Sequence, residues 1–187
     1  MYVKVDSLAL LNQFNHIWMQ CWIEKGYGLE NEHRDADRFL IVDNADRKIG
    51  TIEFKPYSLH PSNDINAVFP FHQLHMMNED PQSVVEIDKT AILKEHRGAN
   101  LARLLSLFVH YSEYYRVNYC VALLERNFYK ALRIVYKIPM EQAGEKVYYK
   151  GDYVTPTIIF PQKIIQNKEN YPWLLAQKSD KKINISS

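Results

Sequence analysis

After Ser7 the apolar residues Leu8, Leu11, Phe14, Trp18, Cys21 and Trp22 recur every three or four positions. That period puts them on one face of a helix running to about Lys25, with Ser7 as its cap. Tyr2, Val3 and Val5 ahead of it suggest a short strand, and the polar stretch GYGLENEHRDAD after it reads as a loop. RFLIVD and KIGTIEFKPY then read as two strands joined through NADRK, a hairpin. Residues 57–83 are rich in Pro, Asn and His and hold no steady period. A short helix near Phe69–Met77 is the one element they suggest.

Val84–Leu93 is the next strand. Leu101, Leu104, Leu105, Phe108, Ser112 and Tyr115 mark one face of a helix from about Ala99 to Arg116. YCVALLE is a continuous apolar run, as in a strand buried on both faces. RNFYKALRIVYK predicts a shorter helix that must stop before Pro139. EKVYYKGDYVTPTIIF predicts two strands around Gly151-Asp152. Residues 1–165 are expected to form one domain and 166–187 a C-terminal extension, with the end QKSDKKINISS mobile. An antiparallel front half followed by strand–helix–strand–helix predicts an α/β (α+β) fold, a mixed central sheet with helices on its faces. The unit at 84–124 should be parallel and right-handed, with a ligand crevice at the C-terminal ends of its strands.

The 187 residues suffice for one domain with a core. A net charge of +1 supplies no field favouring nucleic acid or an anionic membrane. No apolar run reaches the roughly 18 residues of a membrane span, and Asp6, Asn12 and Gln13 interrupt any signal-peptide core. Cys21 and Cys120 each fall in an apolar pattern and read as reduced core residues of a cytoplasmic protein, with a disulfide or a nucleophile as the alternatives. His72 and His75 have a spacing a metal could use, but no carboxylate or cysteine cluster completes a ligand set, so no metal is expected. Arg126, Lys130 and Arg133 read as a solvated basic helix face. The 13 tyrosines suit either a half-polar cavity or ordinary strand packing.

One junction stands apart. His96-Arg97-Gly98-Ala99-Asn100 lies between the strand ending near Leu93 and the helix after it. The first amides of a helix have no internal partners, and a turn of small residues lets a ligand approach them. Asn100 tolerates the left-handed conformation nearly as well as glycine. Successive amides in such a turn form an anion nest, and Arg97 adds a planar fork suited to phosphate. An ordinary capped helix start remains the alternative.

RGANLA resembles the pyrophosphate loop R/Q-x-x-G-x-G/A of the GNAT superfamily of N-acyltransferases, with Arg97 first, Ala102 last and Asn100 in place of a glycine. EIDKTAI, from Glu86 to Ile92, resembles the E-[IV]-[ST]-R-[FL]-A-V strand of the acyl-homoserine-lactone synthases and long-chain N-acyl amino acid synthases, with Lys89 for Arg and Thr90 for the large apolar residue. RDADRFLIVDNADRKIGTIEF resembles that branch's D-x-x-D and G-x-x-[VI]-G-T-x-R segment, with Glu53 where Arg is common. GEKVYYKGDYVTP resembles its closing strands. The likeness runs in order over roughly residues 30–160.

The resemblance implies a sheet splayed between its two parallel central strands, Thr90–Leu93 parting from the end of YCVALLE. It implies a donor thioester on phosphopantetheine, as acyl-CoA (acetyl-CoA or longer) or acyl carrier protein, and a small amine acceptor such as an amino acid. Backbone groups of Ala91, Ile92 and Leu93 would pair with the pantetheine amides, and amides of Arg97, Gly98, Ala99, Asn100, Leu101 and Ala102 would hold the pyrophosphate. Asn127 would bond the arm, or else cap a helix. Glu86 would be the general base, or else the structural partner of a nearby Lys or Arg. In a regular strand Glu86, Asp88 and Thr90 share one face and Lys89 points to the other. An amide near Ile92 would stabilise the oxyanion. Tyr136, with Tyr129 as rival, would protonate the leaving thiolate; a core tyrosine is the plain alternative. Phe69, Phe71, Leu74 and Met76 would line a long-chain pocket or cover the sheet. A non-catalytic acyl-CoA sensor and an interaction domain are the rival functions on this fold.

Overall fold

The computed structural model describes residues 2–29 and 35–176. Its strands are β1 (Tyr2–Lys4), β2 (Asp37–Val42), β3 (Lys48–Pro56), β4 (Val84–Ile92), β5 (Tyr119–Glu125), β6 (Met140–Gln142), β7 (Val147–Tyr149) and β8 (Asp152–Ile159). They form one sheet in the order β1-β2-β3-β4-β5-β8-β6, with β7 also on β8. β4 and β5 run parallel, and the neighbouring pairs are antiparallel.

α1 (Leu8–Glu24) begins where Ser7 Oγ accepts the Leu10 amide at 3.3 Å. Its buried face is Phe14, Ile17, Trp18 and Cys21, whereas Leu8 is exposed. The β2–β3 turn is tied by the Asp43 carboxylate, which accepts from the Ala45 and Arg47 amides and from Arg47 Nε. α4 (Leu101–Tyr114) lays Leu104, Leu105, Phe108 and Tyr111 on the sheet, and the Tyr111 ring stacks on Phe54 at 3.8 Å.

Residues 57–83 supply α2 (Asp64–Val68) and α3 (His75–Glu79); the expected Phe69–Met77 helix is met only in part, by a 3-10 turn at Phe71–Gln73 and by the start of α3. Pro70 carries no N–H and separates α2 from α3. The buried amide of Asn66 organises the segment, accepting from Tyr57 Oη at 2.8 Å and donating to the Ser58 and His60 carbonyls. Phe71 and Met77 are fully buried with Val84, Val121 and Ile158 on the sheet face beside α1. The opposite face carries α4, α5 (Arg126–Lys130) and α6 (Pro161–Ile165).

The RNFYKALRIVYK helix does not stay regular. α5 passes into a π-helical turn, Ala131–Val135, closed by Tyr136 N–H to Ala131 O at 3.1 Å. The extension from 166 to 176 docks on α4 and this turn: Trp173 Nε1 donates to Tyr136 O and the Leu175 amide to Ser106 Oγ. The QKSDKKINISS segment and Glu30–Arg34 of the loop after α1 lie outside the described residues.

Candidate active site

β4 and β5 pair only from Val84, Val85 and Glu86 to Tyr119, Cys120 and Val121. Beyond Glu86 the two strands part, three residues earlier than Thr90. The gap is a cavity of about 410 Å³. One side of the sheet contributes Cys21, Trp22, Lys55, Asp64, Ile65 and Glu86 to its wall; the other contributes Ile87, Ile92, Leu101, Leu104, Leu124 and Phe128. The cavity thus passes through the sheet. Arg97, Gly98, Asn127 and Ala131 lie at its walls as well.

A bulge shapes β4. Glu53 pairs with Asp88 and Thr51 with Ala91, so Lys89 and Thr90 share one opposing position, and Lys89 has φ +43°. The extra residue resets the alternation. Lys89 does not point away from Glu86 and Asp88 as a regular strand requires; it lies on their face, under the Trp18 ring. There Lys89 Nζ meets Glu53 Oε1 at 2.6 Å, and Glu53 Oε2 accepts from Arg38 Nε at 2.6 Å. Lys55 Nζ lies 2.7 Å from Glu86 Oε1 and 2.6 Å from Asp88 Oδ2. Glu86 thus has a lysine partner, Lys55, of the kind a structural role would use. The sequence held a signal for Lys55: Thr51, Glu53 and Lys55 are a polar row on a strand whose other face, Ile52 and Phe54, is apolar.

Burial pushes the Glu86 carboxyl above its ordinary range; Lys55 opposes this, and Asp88 and Asp64 add to it. For Lys55, burial works against the charge, and Asp88 and Glu86 outweigh it, so the ammonium is held more firmly than usual.

Along the edge of β4, the Leu93 amide donates to Ile49 O at 2.9 Å, and a Cβ on Gly50 would meet Ala91 O at 2.6 Å. Both residues turn their backbone groups to β3. Alternation turns those of Ile92 into the split. Of the three expected there, Ile92 alone faces the cavity in this way. Its carbonyl already accepts from Arg97 Nε at 3.1 Å.

The Arg97 side chain accordingly folds back toward β4, 3.9 Å from Glu24, rather than reaching out over the turn. Gly98, with φ +83°, takes the left-handed position; Asn100 is right-handed at φ −74°. Asn100 instead braces the turn, donating to His96 O at 2.8 Å and accepting from Arg103 Nε at 3.0 Å. The Leu101 amide is spent on Gly98 O and that of Arg97 on Lys94 O, the latter at 3.5 Å. Among the described residues, the amides of Gly98, Ala99, Asn100 and Ala102 have no backbone acceptor.

Tyr136 does not line the cavity. Its hydroxyl lies 3.4 Å from Gly98 O, on the outer side of the turn, and its ring packs edge-on against Trp173. Burial raises its pKa. Tyr129 does not line the cavity either; its hydroxyl accepts from Arg133 at 2.9 Å. Asn127 does line the cavity, and the cap of α5 is Glu125, whose Oε1 takes the Phe128 amide at 2.7 Å. Phe69, Phe71, Leu74 and Met76 pack on the sheet and are absent from the cavity wall. Sequence reasoning missed Tyr27, Tyr149 and Lys150, which the β7–β8 turn and the end of α1 bring to the rim. Gly28 N–H donates to Lys150 O, and Tyr27 Oη lies 3.3 Å from Asp152. These partners are more than a hundred residues apart, and no local pattern announces them. His75, once weighed as a ligand, pairs with Glu79 at 3.0 Å.

No protein-family model and no curated protein matches this sequence. Solved structures do match in fold. FeeM, an N-acyl amino acid synthase from uncultured soil microbes, superposes with a TM-score of 0.66 at 14% identity, over 87% of this chain and 91% of FeeM. MesI, a CoA-dependent acyl-homoserine lactone synthase, gives 0.66 at 10% identity over 92% of each chain. LasI, an AHL synthase, gives 0.63 at 11% identity over 95% of this chain and 96% of LasI. The mixed α/β sheet with its helices is a GNAT-like fold, matching these proteins.

Proposed function

We propose that the protein is an N-acyltransferase that moves an acyl group from a phosphopantetheine thioester, of coenzyme A or acyl carrier protein, to a small amine such as an amino acid. One observation carries this reading: the cavity through the sheet reaches from Gly98, in the turn whose amides are open, to the Glu86 carboxylate.

In this reading the amides of Gly98, Ala99, Asn100 and Ala102 hold the pyrophosphate. The arm runs along the exposed edge of β4, beside Ile92 and Asn127. Amines of pKa near 8 to 10 are mostly protonated at neutral pH, so the acceptor needs a base. Glu86 takes its proton, directly or through water, and its raised pKa suits that task. The nitrogen bonds the thioester carbon, the Ile92 amide steadies the oxyanion, the C–S bond breaks, and the second nitrogen proton passes through water to the departing thiolate, giving amide and free thiol. A thiol of pKa about 8.5 leaves readily as thiolate. No tyrosine acid is required, and Tyr136 has no place in the step. The unbridged, buried Cys21 and Cys120 suit a cytoplasmic setting.

The Lys55–Glu86 pair supports one rival, a thioester sensor that binds without turnover. Calorimetric titration with coenzyme A, acetyl-CoA and a long-chain acyl-CoA tests donor binding, with acyl carrier protein titrated next. Thiol release against a panel of amino acids separates enzyme from sensor. Failure of every donor to bind overturns both.

A further inference from the structure

Lys55 stands where three carboxylates converge on the cavity. It is 5% exposed and holds Glu86 and Asp88 at 2.7 and 2.6 Å. Both carboxylates belong to the part of β4 that borders the split, and Asp64 of α2 lines the same wall. Two carboxylates in one site cannot both keep their charge cheaply unless a cation sits between them. The resemblance to known families gave a role to Glu86 and none to Lys55 or Asp88.

We propose that Lys55 is a positioning residue for the acceptor end of the site: it fixes the Glu86 carboxylate at the split and, with Asp88, sets the charge that carboxylate carries. The inference rests on the reading of Glu86 as the base. Lys55 acts through Glu86 and exchanges no proton itself.

Among the described residues, the charged and titratable groups around Glu86 come from β3, β4 and α2. From β3 come Lys55 and Glu53, and just after it Tyr57, with its hydroxyl given to Asn66. From β4 come Asp88 and Lys89, whose ammonium lies 3.9 Å from Asp88 and is committed to Glu53 at 2.6 Å. From α2 comes Asp64, which raises the Glu86 pKa. On β5 the opposing residues, Val121 and Leu123, are uncharged. Lys55 is thus the cation in contact with Glu86 among the described residues.

Two substitutions should move Glu86 in opposite directions. Lys55→Met leaves two adjacent carboxylates without their cation, so Glu86 should bind its proton more tightly. Asp88→Asn removes a like charge and leaves Lys55 to Glu86 alone, so Glu86 should release its proton more easily. The test is a carbon-13 NMR titration of protein labelled at the glutamate δ-carbon, with Glu86 assigned by its loss in Glu86→Gln. The Glu86 midpoint is expected to rise by about one unit or more in Lys55→Met and to fall in Asp88→Asn. Lys55→Arg should keep the wild-type midpoint within about half a unit. A midpoint unmoved in both variants, or moved the same way, overturns the proposal. If Lys55→Met does not fold, the direction of Asp88→Asn decides. The pH profile of thiol release from acetyl-CoA separates this inference from its premise. NMR midpoints that move as expected while the profile stays fixed would show that Lys55 governs Glu86 and that Glu86 is not the base.

Discussion

Lys89 Nζ and Glu53 Oε1 are 2.6 Å apart, with both side chains almost wholly withdrawn from water. Each residue departs from the pattern the sequence otherwise resembles, and the departures meet. Glu53 also holds Arg38, so one carboxylate compensates two cations. Removing one partner of a buried pair costs about 3–5 kcal/mol, because the other charge is left unmatched. Glu53→Gln should therefore destabilise the protein by roughly that amount, measured by urea denaturation. Glu53 is not a cavity-lining residue, so a stability loss below about 1 kcal/mol would contradict the assignment of this pair to the fold.

Glu86→Gln keeps the shape of the side chain and removes its basicity. Thiol release in the presence of the acceptor should fall by about 10²–10⁴-fold. Coenzyme A affinity, measured by calorimetry, should change by less than about threefold, because the pyrophosphate is held at the other end of the cavity.

Gly98→Val tests the turn. No atom lies within 4 Å of a Cβ added at Gly98, so the effect comes from the φ of +83° and not from a clash. A β-branched residue in that region costs about 1–3 kcal/mol. The turn should relax to another conformation and coenzyme A should bind about tenfold more weakly or worse. Arg97→Ala, which frees the Ile92 carbonyl, should weaken binding with little change in melting temperature.

Tyr136→Phe separates bracing from catalysis. The hydroxyl touches Gly98 O outside the cavity, so turnover at saturating donor should be unchanged. The donor KM should rise by a factor of about two to five, in keeping with one weak hydrogen bond of about 0.5–1 kcal/mol. A hundredfold fall in kcat would restore the tyrosine as an acid.

His110 gives a pH dependence. Burial holds its pKa below the ordinary 6.5, with Lys168 acting the same way and Glu113 opposing. The unfolded chain therefore binds the proton more readily than the folded one. This contribution to stability is complete above the unfolded pKa and declines as the pH falls toward the folded one. Melting temperatures at about pH 7.5 and about pH 5.5 should differ less in His110→Gln than in the wild type.

Local chemistry made several elements legible in the sequence. The three-and-four spacing of Phe14, Trp18 and Cys21 can be buried only as a helix, and Ser7 can cap it. The continuous run of YCVALLE required a strand covered on both faces, which in turn required helices on both sides of the sheet. The small residues around Gly98 marked a turn open to an anion, and only Gly98 needed to be glycine, for its positive φ.

The bulge at Lys89 was not legible. An extra residue in a strand leaves no mark on composition, yet it reverses every side chain after it, and it brought Lys89 to the face of Glu86. Nor could residue spacing show that Lys55 bridges Glu86 and Asp88, since register between β3 and β4 is set by the hydrophobic faces of the whole sheet. Residues 57–83 lacked a period because they form short helices joined around Asn66, whose partners are backbone groups and carry no side-chain signature. The sequence by itself determined which segments could be buried and which turn could receive an anion, because both are properties of neighbouring residues. Tertiary structure decided which charges would face one another across the split, because a buried charge is settled by whatever partner the packing brings within reach.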